Sequence, residues 1–518
     1  MIRRRLGLLS RQAYSVSILL TLIPLVLSAY THLWNPAGFP NLFYDEGVYM
    51  RRAMHVMEGL GPQEAYYYDH PFFGQIFLGG MLMAIGYPES LSASPDLTSI
   101  TLLYEVPRIL MGILAIIDTF LIYKISERLY NRNVALLASV LFAVMPTTWF
   151  TRMILLDSIL LPFLLSSILI AVHTMTSKEH RGDSRDNIKN NILILISGLL
   201  LGTAIFTKIP AFTVIPFVAF LIYRQNGRRL KPLLIWFIPV IAIPLLWPAQ
   251  SLVVGAFNSW TTDVLWQINR ENAGLPWIVF LLAIIDPFIF VVGFAGLVYS
   301  LIRRDLVILL WTLPFIAFLG FMGYTNFFYW IPILPALCVG AAKLIFDIIE
   351  RSKKITQEVF TGVVLSSIIA FGLVSTTLLI ATNVTSAQLE SAAYAAVNLE
   401  RGEREGSGNL TVISNPIFSW IFKYVFREDN ILSDYRDLMY FPVDTSRNRV
   451  LLIDDPRFKL DMGNENNQLL QELQRNTTAV ATFKGKVTNF DLGLYPYTSM
   501  IENYEGSEVT IRLNNLLS

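Results

Sequence analysis

The sequence predicts an all-α polytopic membrane domain followed by a small α/β domain outside the bilayer, and three observations carry that prediction. The 518 residues are 54% hydrophobic and only 15% charged, with a mean hydropathy of +0.51, a composition that soluble domains rarely reach. Apolar segments recur through residues 13–381, most of them near the roughly 20 residues that a spanning helix needs. The pattern stops after Ala381, and residues 382–518 are polar with short β-type runs. A net charge of +1 gives no basic patch for nucleic acid. The one cysteine, Cys338, excludes an intrachain disulfide.

The first apolar segment, 13–33, follows Arg3, Arg4, Arg5 and Arg11. It is too long for a signal-peptide core and lacks a small-residue cleavage site, so it reads as a retained helix. Further segments fall at 72–87, 104–125, 134–150, 153–175, 191–208, 209–223, 232–256, 276–300, 305–322, 327–349 and 359–381. The basic loops 1–12, 124–133, 176–190, 224–231, 303–304 and 350–354 can all face the cytoplasm only if 72–87 does not cross. Loop 88–103 holds Glu89 and Asp96 and no base, as an outer loop would. The positive-inside rule then gives about eleven transmembrane helices plus a re-entrant or interfacial segment, with the N-terminus inside and the C-terminus outside. Twelve crossings with one charge violation is the alternative. The expected division is a membrane domain at 1–382, with a long outer loop at 34–71 that holds the candidate site residues, and an extracytoplasmic α/β domain at 383–518. There 409–414 and 449–454 read as buried strands, 416–426 as a helix opened by Asn415-Pro416, and 479–487 and 509–513 as further strands. The sequons at Asn383, Asn409 and Asn476 all lie in that domain.

Chemistry gathers at the predicted outer face. Tyr44-Asp45-Glu46-Gly47 sets adjacent carboxylates at the membrane surface. The bland reading makes Asp45 a helix N-cap with Glu46 in the first turn. After them Tyr49, Ala53, Val56, Met57 and Leu60 fall on one helical face and Arg51, Arg52, His55 and Glu58 on the other, the pattern of an amphipathic helix lying in the interface. Asp69-His70-Pro71 closes the loop. It reads as a substrate contact or, alternatively, a divalent-metal ligand pair, or as an interfacial cap. Tyr66, Tyr67 and Tyr68 suit sugar stacking or an interfacial aromatic belt. Arg152 and Asp157, five residues apart, form either an intramembrane ion pair or part of a site. With Arg108 and Lys208 they bring cations and carboxylates to one leaflet, which suits a phosphorylated lipid donor and an acceptor hydroxyl. Asp286-Pro287 marks a helix break.

Six stretches carry a family resemblance across roughly 40–340: Asp45-Glu46, His70-Pro71-Phe72-Phe73-Gly74, Pro107-Arg108, Thr151 to Ser158, Gly202 to Lys208, and Phe328 to Pro335. The run Thr151-Arg152-Met153-Ile154-Leu155-Leu156-Asp157-Ser158 is the most specific. The sequence resembles the dolichyl-phosphate-mannose protein O-mannosyltransferases and their bacterial relatives that transfer aminoarabinose to lipid A, both of the GT-C class of membrane glycosyltransferases. It departs from the pattern at Phe72, Gln75 and Asn326, and it lacks the eukaryotic β-trefoil insert.

The resemblance implies a GT-C fold and transfer of a monosaccharide, most simply mannose, from a polyprenyl- or dolichyl-phosphate donor. The acceptor hydroxyl would lie on an exported protein, a glycan or a lipid. Asp45 is then the expected general base of an inverting attack, with Glu46 and Asp157 orienting base or sugar. Arg108, Arg152 and Lys208 are expected to hold the donor phosphate, and Tyr68, Asp69, His70 and Asp157 to contact sugar or acceptor. No soluble cofactor is implied. A transporter would need internal repeats and midplane polar residues; no repeat is evident and the charges gather at one face. An oligosaccharyltransferase would show an acidic metal motif and a Trp-Trp-Asp-like segment in the outer domain, and neither is evident.

Overall fold

The structure, a computed structural model, describes residues 21–64, 68–174, 184–271, 274–351, 354–404, 410–445, 448–458, 464–486 and 508–514. Tyr66, Tyr67, the arginines before residue 13 and the sequon at Asn409 lie outside them. Within the described residues every predicted apolar segment contains helix. In chain order these are α1 (Thr21–Leu33), then α2 (Tyr44–Met57), the helix of the outer loop, and α3 (Phe73–Ala84). There follow α4 (Leu97–Leu129), α5 (Arg132–Val144), α6 (Leu156–His173), α7 (Ser184–Thr207), α8 (Ile215–Gln225), α9 (Leu230–Ala242) and α10 (Leu246–Val253). After α11 (Phe257–Asn269) come α12 (Gly274–Ile285), α13 (Phe294–Arg303), α14 (Leu306–Phe321), α15 (Leu334–Glu350) and α16 (Lys354–Ile380). Among the described residues five helices are long and apolar enough to span a bilayer, or seven if each of two bent pairs is one span, and further apolar helices are shorter. The chain is a multi-pass membrane protein. At about 1.5 Å per residue α3 is about 18 Å long, short of a bilayer core of roughly 30 Å.

Proline decides where the helices stop. It lacks the N–H that continues a helix and clashes with the turn before it. Pro146 opens a tight 3-10 turn ending at Arg152, bent 70° from α5. Pro210 follows Lys208, which sits in extended backbone after α7. Pro332 and Pro335 follow the 3-10 turn Phe327–Trp330. The break expected at Asp286-Pro287 is present: α12 ends at Ile285, and the Asp286 carboxylate accepts from the amides of Ile289 (2.8 Å) and Thr147 (3.3 Å) and the Thr147 hydroxyl (3.1 Å). These breaks carry the polar side chains of the site. Gly202, from the predicted Gly-to-Lys208 run, has a packing reason: a Cβ there would lie 2.5 Å from the Pro239 carbonyl of α9, so only glycine lets α7 and α9 approach.

The C-terminal α/β domain starts with α17 (Ser386–Arg404) and has a five-stranded sheet of β1 (Leu410–Ile413), β2 (Ile431–Leu432), β3 (Arg449–Asp454), β4 (Thr478–Lys484) and β5 (Glu508–Leu513) in the order β2-β1-β3-β5-β4. β1 pairs parallel with β2 and β3, and β5 runs antiparallel to β3 and β4. Central β3 is buried on both faces, hence its unbroken Val-Leu-Leu-Ile run. Val450 and Leu452 pack with Leu470 and Leu473 of α19 (Asn464–Arg475), whereas Leu451 and Ile453 face the main core with α17 and α18 (Pro416–Trp420). The four expected strands and the helix at 416 are present; β2, α17 and α19 were not foreseen.

Candidate active site

Helix α2 is where the expectation needs most correction. Its N-cap is Phe43, whose amide donates to Glu46 Oε2 at 2.9 Å. Asp45 therefore is not the cap, and the amide satisfied at the helix start is satisfied by its neighbour. Arg51 and Arg52, expected on a solvated face, are 3% and 2% exposed. They are covered because the loop after α2 folds back: Arg51 meets Glu64 at 3.0 Å and Arg52 meets Asp69 at 2.6 Å.

Asp45 and Glu46 diverge completely. Glu46 is fully buried. Its Oε1 accepts from Arg108 Nε (2.9 Å) and the Ile154 amide (3.0 Å), its Oε2 from Arg108 Nη2 (2.6 Å) and the Phe43 amide. Arg108 spends its remaining donors on the carbonyls of Pro36 (2.9 Å), Pro40 (2.7 Å) and Asn41 (3.0 Å). A guanidinium has five N–H groups, and all five are taken. Arg108 therefore has no free donor for the expected phosphate contact, and Glu46, expected to orient base or sugar, has no free oxygen for a sugar. The pair is instead a strut that fixes the chain on both sides of Asp45.

Asp45 is half-buried and, among the described residues, its carboxylate makes no hydrogen bond or ion pair. Burial raises its carboxyl to about 6, against the opposing pull of Lys208 and Arg270 and with a further push from Asp69 and Asp157. Those residues form one cluster. Lys208 contacts Asp157 at 2.6 Å, both nearly fully buried, and its ammonium lies 4.4 and 4.8 Å from the ring centres of Phe328 and Tyr329. Burial pushes the Asp69 carboxyl up, but Arg52 and His70 outweigh it and hold the group below its usual range. His70 is lowered to about 3, by burial first and then by Lys208, Arg52 and Arg270 against the pull of Asp69, so its ring is neutral.

The ion pair weighed for Arg152 and Asp157 does not form, because Asp157 is taken by Lys208. Arg152 is fully buried, donates to the Trp34 carbonyl, and among the described residues leaves Nε and Nη1 without a partner. It lies near His32 and Arg108. Tyr68 is 3% exposed, packed with Phe72, Phe206 and Trp247, with its amide bonded to Asp263.

Sequence reasoning missed Arg270. It lies just past α11, between the apolar segments 232–256 and 276–300, where the sequence reading placed no candidate residue. Its guanidinium stacks on Tyr324 (3.6 Å to the ring centre) and Trp266 (4.6 Å) and acts on both Asp45 and His70. No signal in the sequence marks it, because its contact with the aromatic run at 324–330 exists only in the fold. Among the described residues no group of three His, Cys, Asp or Glu is placed to hold a metal ion.

Residues 104–251 match the family model for dolichyl-phosphate-mannose-protein mannosyltransferase. That interval includes Arg108, Arg152, Asp157 and Lys208. No curated protein matches the chain in sequence. Among solved structures it is similar to the archaeal oligosaccharyltransferase AglB of Archaeoglobus fulgidus in complex with an inhibitory peptide and a dolichol-phosphate (TM-score 0.57, 11% identity, 93% of this chain and 75% of that one). It is also similar to ArnT of Cupriavidus metallidurans bound to undecaprenyl phosphate (TM-score 0.56, 12% identity, 98% and 99%). The chain therefore has the fold of the GT-C membrane glycosyltransferases, and its segment 104–251, which carries much of the polar cluster where the helices break, is similar to the dolichyl-phosphate-mannose-protein mannosyltransferases.

Proposed function

We propose that this chain moves one monosaccharide, most simply mannose, from a polyprenyl- or dolichyl-phosphate to an acceptor hydroxyl at the outer membrane face, with inversion and with Asp45 as general base. The observation that carries the reading is the isolation of Asp45: a raised carboxylate without a structural partner, facing cations, on a helix whose other acidic group, Glu46, is engaged. The acceptor oxygen attacks the anomeric carbon as Asp45 takes its proton, and the bond from that carbon to the phosphate oxygen breaks. The polyprenyl phosphate leaves, and Lys208 and Arg270 meet the charge that develops on it. Neutral His70 and the Arg52-held Asp69 line the sugar side. A lipid-linked donor already lies in the bilayer, which accounts for a site at the helix ends. In this reading the C-terminal domain is extracytoplasmic and the N-terminus cytoplasmic, and the acceptor is a Ser/Thr hydroxyl of an exported protein, or a glycan or lipid.

Asp45→Asn is the test, because the amide keeps the size and cannot take a proton. Transfer from dolichyl-phosphate-mannose should fall by about a hundredfold or more, the low end of what a positioned base supplies. Expression and thermal stability should stay parental. Transfer near the parental rate would remove Asp45 from the mechanism.

A further inference from the structure

The C-terminal domain grips the helix that carries Asp45, and it does so at three places. Between them the side chain of Tyr44, the residue before Asp45, is held from outside the membrane half: its hydroxyl donates to Asp434 and accepts from Arg436. Arg436 also lies over the Tyr44 ring, 4.9 Å from its centre, and meets Asp434 at 2.8 Å. Asp434 is fixed in turn by the amide of Arg436 at 3.0 Å.

One turn along the helix, Gly47 faces the backbone of α18. A Cβ there would lie 2.4 Å from the Ile417 amide nitrogen and the Pro416 carbonyl, and backbone cannot give way as a side-chain tip can. That contact is locked from the membrane side by Tyr104 of α4, whose hydroxyl donates to the Ile417 carbonyl at 2.7 Å and accepts from Trp420 at 3.0 Å. On the entry side, the fully buried Gln388 of α17 pairs with both backbone groups of Leu42, at 3.1 and 3.3 Å, as a neighbouring strand would. Asp455 accepts from the same amide at 3.3 Å.

A passive cap would need none of this. The contacts converge on residues 42–47, the turn in which the Asp45 carboxylate has no bond to hold it. We propose that the C-terminal domain positions the base, with Tyr44 as the positioning residue and Asp434 and Arg436 as the clamp that sets the rotation of the first turn of α2. The proposal rests on Asp45 being the base, while its structural half stands apart from that reading. Tyr44 touches no reacting atom; it acts through the backbone it shares with Asp45. An anchor of this kind belongs to the turnover step more than to donor binding, since Lys208 and Arg270 come from other elements.

The experiment uses the full chain in detergent, with dolichyl-phosphate-mannose and a Ser/Thr peptide, and two readouts. The first is hydrogen exchange by mass spectrometry. Tyr44→Phe and Asp434→Asn should each speed exchange of the amides at 44–48 while β3 and β5 stay protected. Parental exchange at 44–48 in both variants overturns the clamp whatever the enzyme transfers, and so does loss of protection throughout the C-terminal domain, which would make Tyr44 a general structural residue. The second is kinetic. Kcat should fall roughly tenfold with donor KM unchanged, since misplacing a catalytic group by about 1 Å can cost up to a hundredfold. The double variant should be no worse than either single one, as expected of residues in one network. Parental kcat in both single variants, alongside a crippled Asp45→Asn enzyme, overturns the positioning role and leaves the base intact. An active Asp45→Asn enzyme defeats the base reading instead, and the exchange result still decides whether the C-terminal domain holds the turn.

Discussion

On the first turn of α2 about 100° of helix rotation separates Asp45 from Glu46, and that rotation sends two adjacent carboxylates into opposite surroundings. Glu46 enters a dry, closed strut in which every oxygen and every Arg108 donor is used. Asp45 enters a cluster whose members leave capacity over: an unbonded carboxylate, a neutral imidazole, and Arg270 held by ring faces and Gln267. The contrast separates what holds a site from what reacts in it. A buried ion pair saturated with hydrogen bonds has nothing left to offer a substrate, however well placed its charges look in sequence. Groups that keep spare capacity are poor stabilisers, and they are the ones that can bind or exchange a proton.

The comparison breaks most visibly if the strut is cut. Removing one partner of a buried pair leaves an uncompensated charge and costs about 3–5 kcal/mol. Glu46→Ala should therefore lower thermal stability in detergent sharply or abolish folded protein, where Asp45→Asn leaves it parental. Glu46→Leu with Arg108→Met should not restore it fully, because the carbonyls of Pro36, Pro40 and Asn41 lose their donors. A folded, active Glu46→Ala enzyme would place Glu46 outside the strut role.

A smaller effect sharpens the cluster side. If Arg270 meets the donor phosphate, Arg270→Ala should raise the donor KM or lower kcat by roughly ten- to a hundredfold, the worth of one charge-assisted hydrogen bond. Stability should barely change, since Arg270 is half-buried and makes no ion pair among the described residues. Parental kinetics at subsaturating donor would return the phosphate to Lys208 alone.

The helices and most strands were legible because hydrophobic pattern reports burial, and burial is what forms them. Pairings were less legible. Arg152 and Asp157 are close in sequence, but Met153 to Leu155 lie in an extended link before α6, and the two side chains part. Asp157 finds Lys208 on α7's end instead, and Glu46 finds Arg108, partners that sequence distance does not rank. Arg51 and Arg52 looked solvated because helical periodicity counts faces and cannot see the loop that folds over one of them. Arg270 was invisible for a related reason: a polar loop in sequence is an amphipathic helix, α11, in the structure, and only the fold turns its end toward Asp45. Charge clustering at one face did point to the right region, since intramembrane charges are retained where they act.

The last prediction asks how finely the cluster tunes Asp45. The acid limb of kcat/KM reports the free enzyme's base. With the Asp45 carboxyl raised to about 6, kcat/KM should climb as pH rises through about 6 and level above it. An unperturbed aspartate, near 3.9, would leave the rate flat there. Arg270 pulls the carboxyl down, so Arg270→Gln removes a charge that favours the ionised form, and the limb should move to higher pH. Lys208 exerts the larger pull and remains; the expected displacement is therefore less than about one pH unit. The limb's position is independent of how much the variant loses in donor affinity, which separates this effect from the one on KM. A limb near pH 4 in the parental enzyme would mean that the base is not raised by its surroundings. A shift to lower pH in Arg270→Gln would mean that Arg270 does not face it.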